Sequence, residues 1–391
     1  MSKNVYIVSA VRTAVGKAIK GTLRSYRPED LGANAIKEAL ARISDKFPQA
    51  DVDDVIMGCA MPEGTQGMNI SRMCMFLAGM PYTVPAMTIN RFCSSGLQAL
   101  ALGAQSIAAG YSDVIVAGGV ESMSTVPMGG YNLLPHPGMI VDYPAAYTGM
   151  GITAEIVADK YGITRLRQDE FAVASNQKAA AAIKAGKFKD QIVPLQVYDY
   201  EKGAMVTFDT DEGPRGDTTV EGLSKLKPAF KTTGSVTAGT SSQVSDGGAA
   251  VVLMSEEAVK KYGLTPMARF VNFQLAGVPP EIMGIGPSEA IPKLFKKAGI
   301  GDKDVSFYEL NEAFAAQSLA CVDLLVQSVG MDPSKVNPNG GAIALGHPLG
   351  CTGAKLAVQT VYELQRTGGK YGVISMCIGG GMGAAGLIER V

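Results

Sequence analysis

The chain has little of what several protein classes require. It has no tryptophan, only two histidines, and charged residues make up 18% of its 391 residues. The cysteines are Cys59, Cys74, Cys93, Cys321, Cys351 and Cys377. They form no C-x-x-C pair, and His136 and His347 form no metal-spaced cluster, which argues against a disulfide scaffold and a zinc site. Reduced thiols fit better, so we expect a cytoplasmic protein without a bound metal.

Charge and targeting signals are also scarce. The net charge of −1 offers no general attraction for nucleic acid or an anionic membrane. Val5–Val8 predicts a first strand, with no signal or transit peptide around it. Phe92–Ser112 is uncharged and about long enough to span a bilayer, but it contains glycine, glutamine and serine. We expect a helix buried between layers here, and predict neither membrane insertion nor nucleic-acid binding.

Apolar residues make up 47% of the chain, which also contains 47 glycines. Short apolar stretches predict strands at Val55–Met57, Ala86–Ile89 and Val114–Ala117. Between them lie helical patterns, one of which begins at Pro28. This alternation predicts an α/β protein whose sheet is covered by helices on both faces.

The pattern changes at Glu121. From there to about Ser245 the chain is rich in proline and glycine and carries a charged tract, Tyr198–Lys231. Such a long insertion often carries substrate contacts. We predict a first half at 1–120, completed by about 246–266, a loop domain at 121–245 and a second half at 267–391.

The second half echoes the first. Asp54–Met57 resembles Asp304–Phe307, and in both Cys93-Ser-Ser-Gly and His347-Pro-Leu-Gly a glycine and then a helix follow. This repeat predicts two similar halves, stacked as two sheets with helices between and outside. Cys93 and His347 would then occupy equivalent positions.

Cys93 lies where the strand Ala86–Ile89 turns into a helix. Unpaired N–H groups and the positive end of the helix dipole favour a thiolate there. Cys93 is therefore a candidate nucleophile. His347 is the candidate base for its proton, although a lone histidine is more often structural.

Two further residues follow strands of the second half. Cys377 precedes a glycine run at the carboxyl end of a strand, where α/β ligand sites lie, although most cysteines are small buried hydrophobes. Asn311 is either a helix N-cap or an amide that holds a water or a carbonyl. The glycine-rich stretches at 340–348 and 381–386 fit neither a phosphate-binding loop nor a dinucleotide site.

Four motifs resemble those of the thiolases, over the whole length of the chain. They are Asn-Arg-Phe-Cys-Ser-Ser-Gly at Cys93, Asn-Glu-Ala-Phe at Asn311, Gly-His-Pro-Leu-Gly at His347 and Cys-Ile-Gly-Gly-Gly-Met-Gly at Cys377. The resemblance implies a thiolase fold, five-layered αβαβα with an inserted loop domain. It also implies thiolysis of 3-ketoacyl-CoA to acetyl-CoA and a shortened acyl-CoA, or the reverse Claisen condensation.

The resemblance assigns roles to residues of this chain. Cys93 would be acylated, His347 would activate it, and Cys377 would move the α-proton of acetyl-CoA. One carbonyl oxygen would be held near His347 and a water on Asn311. The other would be held by the backbone N–H groups of Cys93 and Gly379.

The form of the motifs favours one branch of the family. Cys-Ser-Ser-Gly-Leu-Gln at Cys93 and the stretch 282–287 resemble degradative 3-ketoacyl-CoA thiolases of fatty-acid β-oxidation. Gly149 stands where the biosynthetic branch often has histidine. The alternative is an acetoacetyl-CoA thiolase that condenses two acetyl-CoA.

The substrate contacts also follow from the resemblance. Arg215 would lie near the nucleotide end of CoA and Ser242 near the pantetheine, with Met150 and Phe314 at the acyl end. CoA and acyl-CoA would be substrates, with no permanently bound cofactor. We expect a homodimer in preference to a tetramer, with a β-oxidation multienzyme complex as a further partner to test.

Three other functions fit less well. A condensing enzyme of the Cys-His-His type needs two catalytic histidines, and only His136, in a Pro-His-Pro of the loop domain, is left over. An enzyme resembling hydroxymethylglutaryl-CoA synthase would lack Cys377 in this glycine setting. An inactive binding protein would not need all four motifs.

Overall fold

Strands and helices alternate through much of the structure, a computed structural model that describes residues 3–44, 47–200 and 202–391. The strands are β1 Val5–Thr13, β2 Gly16–Lys17, β3 Asp54–Gly58, β4 Ala86–Ile89, β5 Val114–Ser122, β6 Ile192–Val193, β7 Leu195–Asp199, β8 Ala204–Phe208, β9 Ser245–Ser255, β10 Ala268–Gly277, β11 Val305–Leu310, β12 Tyr371–Ile378 and β13 Met382–Arg390. The helices are α1 Pro28–Ala41, α2 Ile70–Leu77, α3 Ser95–Ala109, α4 Pro137–Asp142, α5 Met150–Tyr161, α6 Arg165–Lys184, α7 Val220–Ser224, α8 Glu256–Lys261, α9 Gly286–Ala298, α10 Ala315–Val329, α11 Ala342–Leu345 and α12 Leu349–Thr367.

The strands of the two halves pair in the same pattern. In the first, β5 pairs parallel to β3 and antiparallel to β9, which pairs antiparallel to β1. In the second, β12 pairs parallel to β11 and antiparallel to β13, which pairs antiparallel to β10. This correspondence supports the predicted duplication. The expected two sheets are joined along one edge, where Tyr6 and Ile7 of β1 pair with Arg269 and Ala268 of β10.

The alternation of side chains along the strands builds five layers. On β5, Val114 and Val116 pack in the same apolar cluster as α1 and α2, whereas Ile115 and Ala117 pack with α3 and α12. In the second half, one face of the sheet packs against α3 and α12, and the other face is covered by α9 and α10. The order is therefore helix, sheet, helix, sheet, helix, which confirms the predicted αβαβα architecture.

The middle layer depends on a close contact between α3 and α12. A Cβ atom on Gly353 would lie 2.3 Å from the backbone nitrogen of Leu97, and one on Gly96 would lie 2.6 Å from that of Ala354. Only glycine allows this approach. The uncharged stretch is thus a helix between sheets, and none of the helices described is both long and apolar enough to cross a membrane.

The segment between β5 and β9, which we propose as a loop domain, carries α4–α7, β6 and the β7–β8 hairpin. A buried ion pair ties it to the core. Arg12 of β1 donates two hydrogen bonds, of 2.7 and 2.8 Å, to the carboxylate of Asp211, and a third of 2.9 Å to Gln191. Removing one partner of such a buried pair typically costs about 3–5 kcal/mol, so this contact holds the segment against β1.

Candidate active site

Cys93 lies in a tight turn between β4 and α3, as its sequence predicts. A single helical turn, Phe92–Ser94, connects the two elements. Phe92 has a φ of 43°, a conformation that bulky residues rarely adopt. Its N–H donates a 2.7 Å hydrogen bond to Asn90 Oδ1, which supports the strained backbone. The strain presents the thiol at the beginning of a buried helix.

The thiol of Cys93 is protonated in the resting protein. Burial raises its pKa to about 11, although the N–H groups of Gly379 and of Cys93 itself lower it. The N–H groups thus lower the pKa in the direction that the sequence predicts, but removal of the thiol from water raises the pKa by more. A base that takes the thiol proton would therefore be needed to form the thiolate.

The neighbours of His347, the predicted base, define its tautomer. The Thr352 hydroxyl donates to Pro348 O at 2.9 Å, so the same oxygen accepts from His347 Nδ1, 2.6 Å away. Nε2 is then the unprotonated nitrogen, and it lies 3.3 Å from Asn311 Nδ2. Burial, helped by Lys355, lowers the pKa of His347 to about 3. The imidazole is neutral and free to accept a proton at Nε2.

Asn311 faces His347 and does not cap a helix. The next helix, α10, begins at Ala315 with Phe314 at its N-cap, so the capping alternative is wrong. Asn311 Nδ2 is the group next to His347 Nε2. Its Oδ1 is buried and has no hydrogen-bond partner among the described residues. The side chain therefore offers the site both a donor and an open acceptor.

Cys377 lies at the end of β12 and is fully buried. Burial raises the pKa of its thiol, and the nearby Cys93 and Cys321 raise it further. The two thiols therefore lie close enough to each other to interact electrostatically. By contrast, the hydrogen bonds of the described residues include none between the Cys93 thiol and His347.

Gly379 follows β12 and lies next to Cys93 and Met150. Its N–H group faces the sulfur of Cys93. A Cβ atom at this position would lie 3.4 Å from Met150 Sδ and 3.9 Å from the ring of Phe92. The backbone of Gly379 thus brings an N–H donor next to the Cys93 sulfur.

A cavity of about 460 Å³ opens against His347. Met150, Ser242 and Phe314, all predicted to contact substrate, line it. Phe230 lines it too, with its ring edge-to-face on Phe314 at 5.8 Å. Sequence reasoning missed Phe230, although an aromatic inside the charged tract is a signal that could have indicated it.

Arg215 lies outside this cavity lining. Its backbone N–H donates to Asn176 Oδ1 at 3.0 Å, and its side chain is exposed. Within the part of the chain that the structure describes, its guanidinium makes no hydrogen bond or ion pair. Lys225 and Lys231, in contrast, pair with Glu221 and Asp159. Arg215 is therefore an exposed cation that is available to bind an anion.

No cluster of three or more metal-ligating side chains occurs in residues 3–44, 47–200 and 202–391. The chemistry of the site comes from two thiols, an imidazole, an amide and backbone N–H groups. A protonated thiol and a neutral base suit covalent acyl transfer, the class of reaction that the fold and site define.

Comparisons with known proteins specify that class further. The protein-family model of the thiolase N-terminal domain matches residues 5–257 of the sequence. The family model of the thiolase C-terminal domain matches residues 264–390. The chain belongs to the thiolase family and is an acyltransferase, as the four motifs predicted.

Relatives from both branches of the family are similar over nearly the whole chain. A 3-ketoacyl-CoA thiolase of Bacillus subtilis is 52% identical, over 99% of each chain. An acetyl-CoA acetyltransferase of Allochromatium vinosum is 46% identical, over 100% of each. The crystal structure of the dimeric peroxisomal thiolase of Saccharomyces cerevisiae has a TM-score of 0.90 at 40% identity, and the match covers 100% of this chain and 98% of the other.

Proposed function

We propose that this protein cleaves 3-ketoacyl-CoA with CoA, through an acyl thioester on Cys93, in fatty-acid β-oxidation. The observation that carries this proposal is the second buried thiol, Cys377, which lies near Cys93 on the strand that leads into Gly379, whose N–H group faces the Cys93 sulfur. Acyl transfer alone needs one nucleophile. Breaking a carbon–carbon bond also needs a group that protonates the departing carbanion.

The proposed reaction uses these groups in turn. His347 Nε2 accepts the Cys93 proton as sulfur attacks the 3-keto carbon. The bond between Cα and Cβ breaks, the acyl group stays on Cys93, and Cys377 gives its proton to the acetyl-CoA carbanion. CoA then attacks the thioester, and its thiol proton returns to Cys377. The imidazolium of His347 reprotonates the departing Cys93 thiolate, which restores the enzyme.

Negative charge develops on a carbonyl oxygen at each stage. Asn311 and His347 supply one set of partners, and the N–H groups of Cys93 and Gly379 supply the other. Donors held in place inside a buried site stabilise such charge without reorganising, and removing one typically slows a reaction by about 10²–10³.

The competing candidate is an acetoacetyl-CoA thiolase that condenses two acetyl-CoA. The similarity to the Allochromatium vinosum enzyme favours it. The closer similarity to the Bacillus subtilis enzyme favours the degradative proposal. The apolar side chains of Met128, Met150 and Ile152 along the cavity also suit a chain longer than acetoacetyl.

Thiolysis kinetics distinguish the two. With 3-ketoacyl-CoAs from four carbons to long chains, we expect kcat/KM to rise about tenfold or more beyond four carbons, because added methylenes contact the apolar lining. Activity confined to acetoacetyl-CoA would support the condensing enzyme instead.

Arg215 and Ser242 are proposed to bind CoA, Arg215 at the nucleotide end and Ser242 at the pantetheine. Arg215→Ala should raise KM for CoA about tenfold and leave kcat within about twofold, because it removes one charge-assisted contact remote from the chemistry. The matched control is Lys225→Ala, which removes an exposed cation already paired with Glu221. An unchanged KM in Arg215→Ala contradicts the assignment.

We also propose a cytoplasmic homodimer. The strand β4 is a sheet edge, and Phe76, Leu77 and Met87 around it are exposed. Such an apolar edge suits pairing with a second copy. The yeast relative is described as dimeric. Light scattering on the purified protein measures the assembly, and a tetramer or a β-oxidation multienzyme complex is the alternative.

A further inference from the structure

Cys93 and His347 must exchange a proton, yet the described residues show no hydrogen bond between them. They come from different halves of the fold, at the beginnings of α3 and α12. Their relative placement therefore depends on the segments that carry them. One buried side chain, Glu121, connects both segments.

Glu121 lies at the end of β5 and is fully buried. Its Oε2 accepts hydrogen bonds of 2.7 Å from the N–H groups of Ala60 and Gly350. Its Oε1 accepts from Met61 N at 3.2 Å and from Gln66 Nε2 at 2.8 Å. The carboxylate therefore binds backbone from both halves of the molecule at once.

The bond to Gly350 reaches the helix that carries His347. Gly350 is the second residue of α12, and its N–H has no partner inside the helix. The Glu121 carboxylate caps that N–H and places negative charge at the positive end of the helix dipole. A Cβ atom on Gly350 would lie 2.7 Å from Glu121 Oε2, so glycine is needed for the contact.

The bond to Ala60 reaches the turn that carries Cys93. The carbonyl of Ala60 accepts a 3.0 Å hydrogen bond from Asn90 Nδ2. Asn90 Oδ1 in turn accepts from Phe92 N at 2.7 Å, at the strained residue next to Cys93. The path from Glu121 to Cys93 thus consists of two backbone segments and one asparagine side chain.

We propose that Glu121 is a positioning residue. It keeps the Cys93 turn and the N-terminus of α12 in a fixed relative position, so that the thiol can pass its proton to His347. The inference rests on the proposed acylation of Cys93. Glu121 does not touch the substrate. It acts through Asn90 on one side and Gly350 on the other.

Positioning and electrostatics predict opposite results. The charge on Glu121 raises the pKa of the Cys93 thiol, so its removal by itself would favour the thiolate and speed acylation. A shift of the Cys93 turn relative to the N-terminus of α12 would slow acylation instead, by on the order of 100-fold for a displacement of about 1 Å. The sign of the change therefore separates the two effects.

The test measures the rate of Cys93 acetylation by acetyl-CoA, by rapid quench and intact-protein mass. The variants are Glu121→Gln, Asn90→Ala and their combination. The control is Glu363→Gln, the same charge loss at a buried carboxylate far along α12, which accepts from Asn339. Thermal melting of each variant reports folding.

We expect Glu121→Gln to slow acetylation about 100-fold and Asn90→Ala at least about tenfold, with KM for acetyl-CoA within about twofold. The combined variant should be no slower than Glu121→Gln, since both act on one path. Glu363→Gln should lower the melting temperature without slowing acetylation.

Three outcomes would overturn the inference. The first is a rate of Cys93 acetylation in folded Glu121→Gln within twofold of the wild-type rate. The second is a rate in that variant faster than the wild-type rate. The third is an equal loss of acetylation rate in Glu121→Gln and Glu363→Gln. If Glu121→Gln does not fold, Asn90→Ala decides, because it keeps the carboxylate and breaks the same path. A wild-type protein that is never acetylated at Cys93 refutes the proposed function itself, which is a separate result.

Discussion

Cys93→Ala is expected to lose all measurable turnover, with kcat lowered about 10⁴-fold or more, because no other group can form the thioester. The buried thiol is small, so the fold should tolerate alanine. Intact-protein mass after incubation with acetyl-CoA checks the assignment. Wild type should gain one acetyl group and the variant none.

The control for this variant is Cys74→Ala. Cys74 is a buried thiol of α2 in the apolar cluster that α1 and α2 form with β5, and this cluster contains neither Cys93 nor Cys377. It should keep activity within about threefold and still be acetylated. An acetyl group found on any residue other than Cys93 in the wild-type protein would refute the mechanism.

Cys377→Ala should separate the two half-reactions. It should still be acetylated at Cys93, because His347 activates Cys93 in that step and the CoA thiolate can leave without the proton that Cys377 otherwise supplies. Thiolysis and condensation should fall about 10³-fold, since the acetyl-CoA carbanion then has no proton donor. Mass spectrometry measures the first step and steady-state kinetics the second.

Cys321→Ala is the matched control for the second thiol. Cys321 is also buried near Cys377, but its sulfur donates to the carbonyl of Gly284 at 3.1 Å. It should keep most of the thiolysis rate. Normal thiolysis by Cys377→Ala would show that another group supplies the proton.

Local patterns predicted much of the fold. The strands β3, β4 and β5 and the beginning of α1 at Pro28 are visible in short windows, because alternation and capping are local properties. The duplication was visible as well, since equivalent strands keep similar sequences. The edge pairing of β1 with β10 was not, because Tyr6 and Arg269 meet only when the halves stack.

The residues of the candidate site also divide into those that the sequence reveals and those that only the structure reveals. Cys93, Asn311, His347 and Cys377 stand in short motifs beside strand ends and helix beginnings, so the sequence alone indicates them. Phe230 and Glu121 belong to none of these motifs. Their importance comes from the contact of Phe230 with Phe314 and of Glu121 with Gly350, which join distant parts of the chain.

By itself, the sequence predicted the fold and the groups that we propose to react, because each thiol, imidazole and glycine turn is specified by the identity of a single residue or a short motif. Only the tertiary structure decided their state. Burial between two sheets keeps the Cys93 thiol protonated and the His347 imidazole neutral, and Thr352 selects its tautomer. Desolvation depends on everything packed around a group, and no local stretch of sequence contains that information.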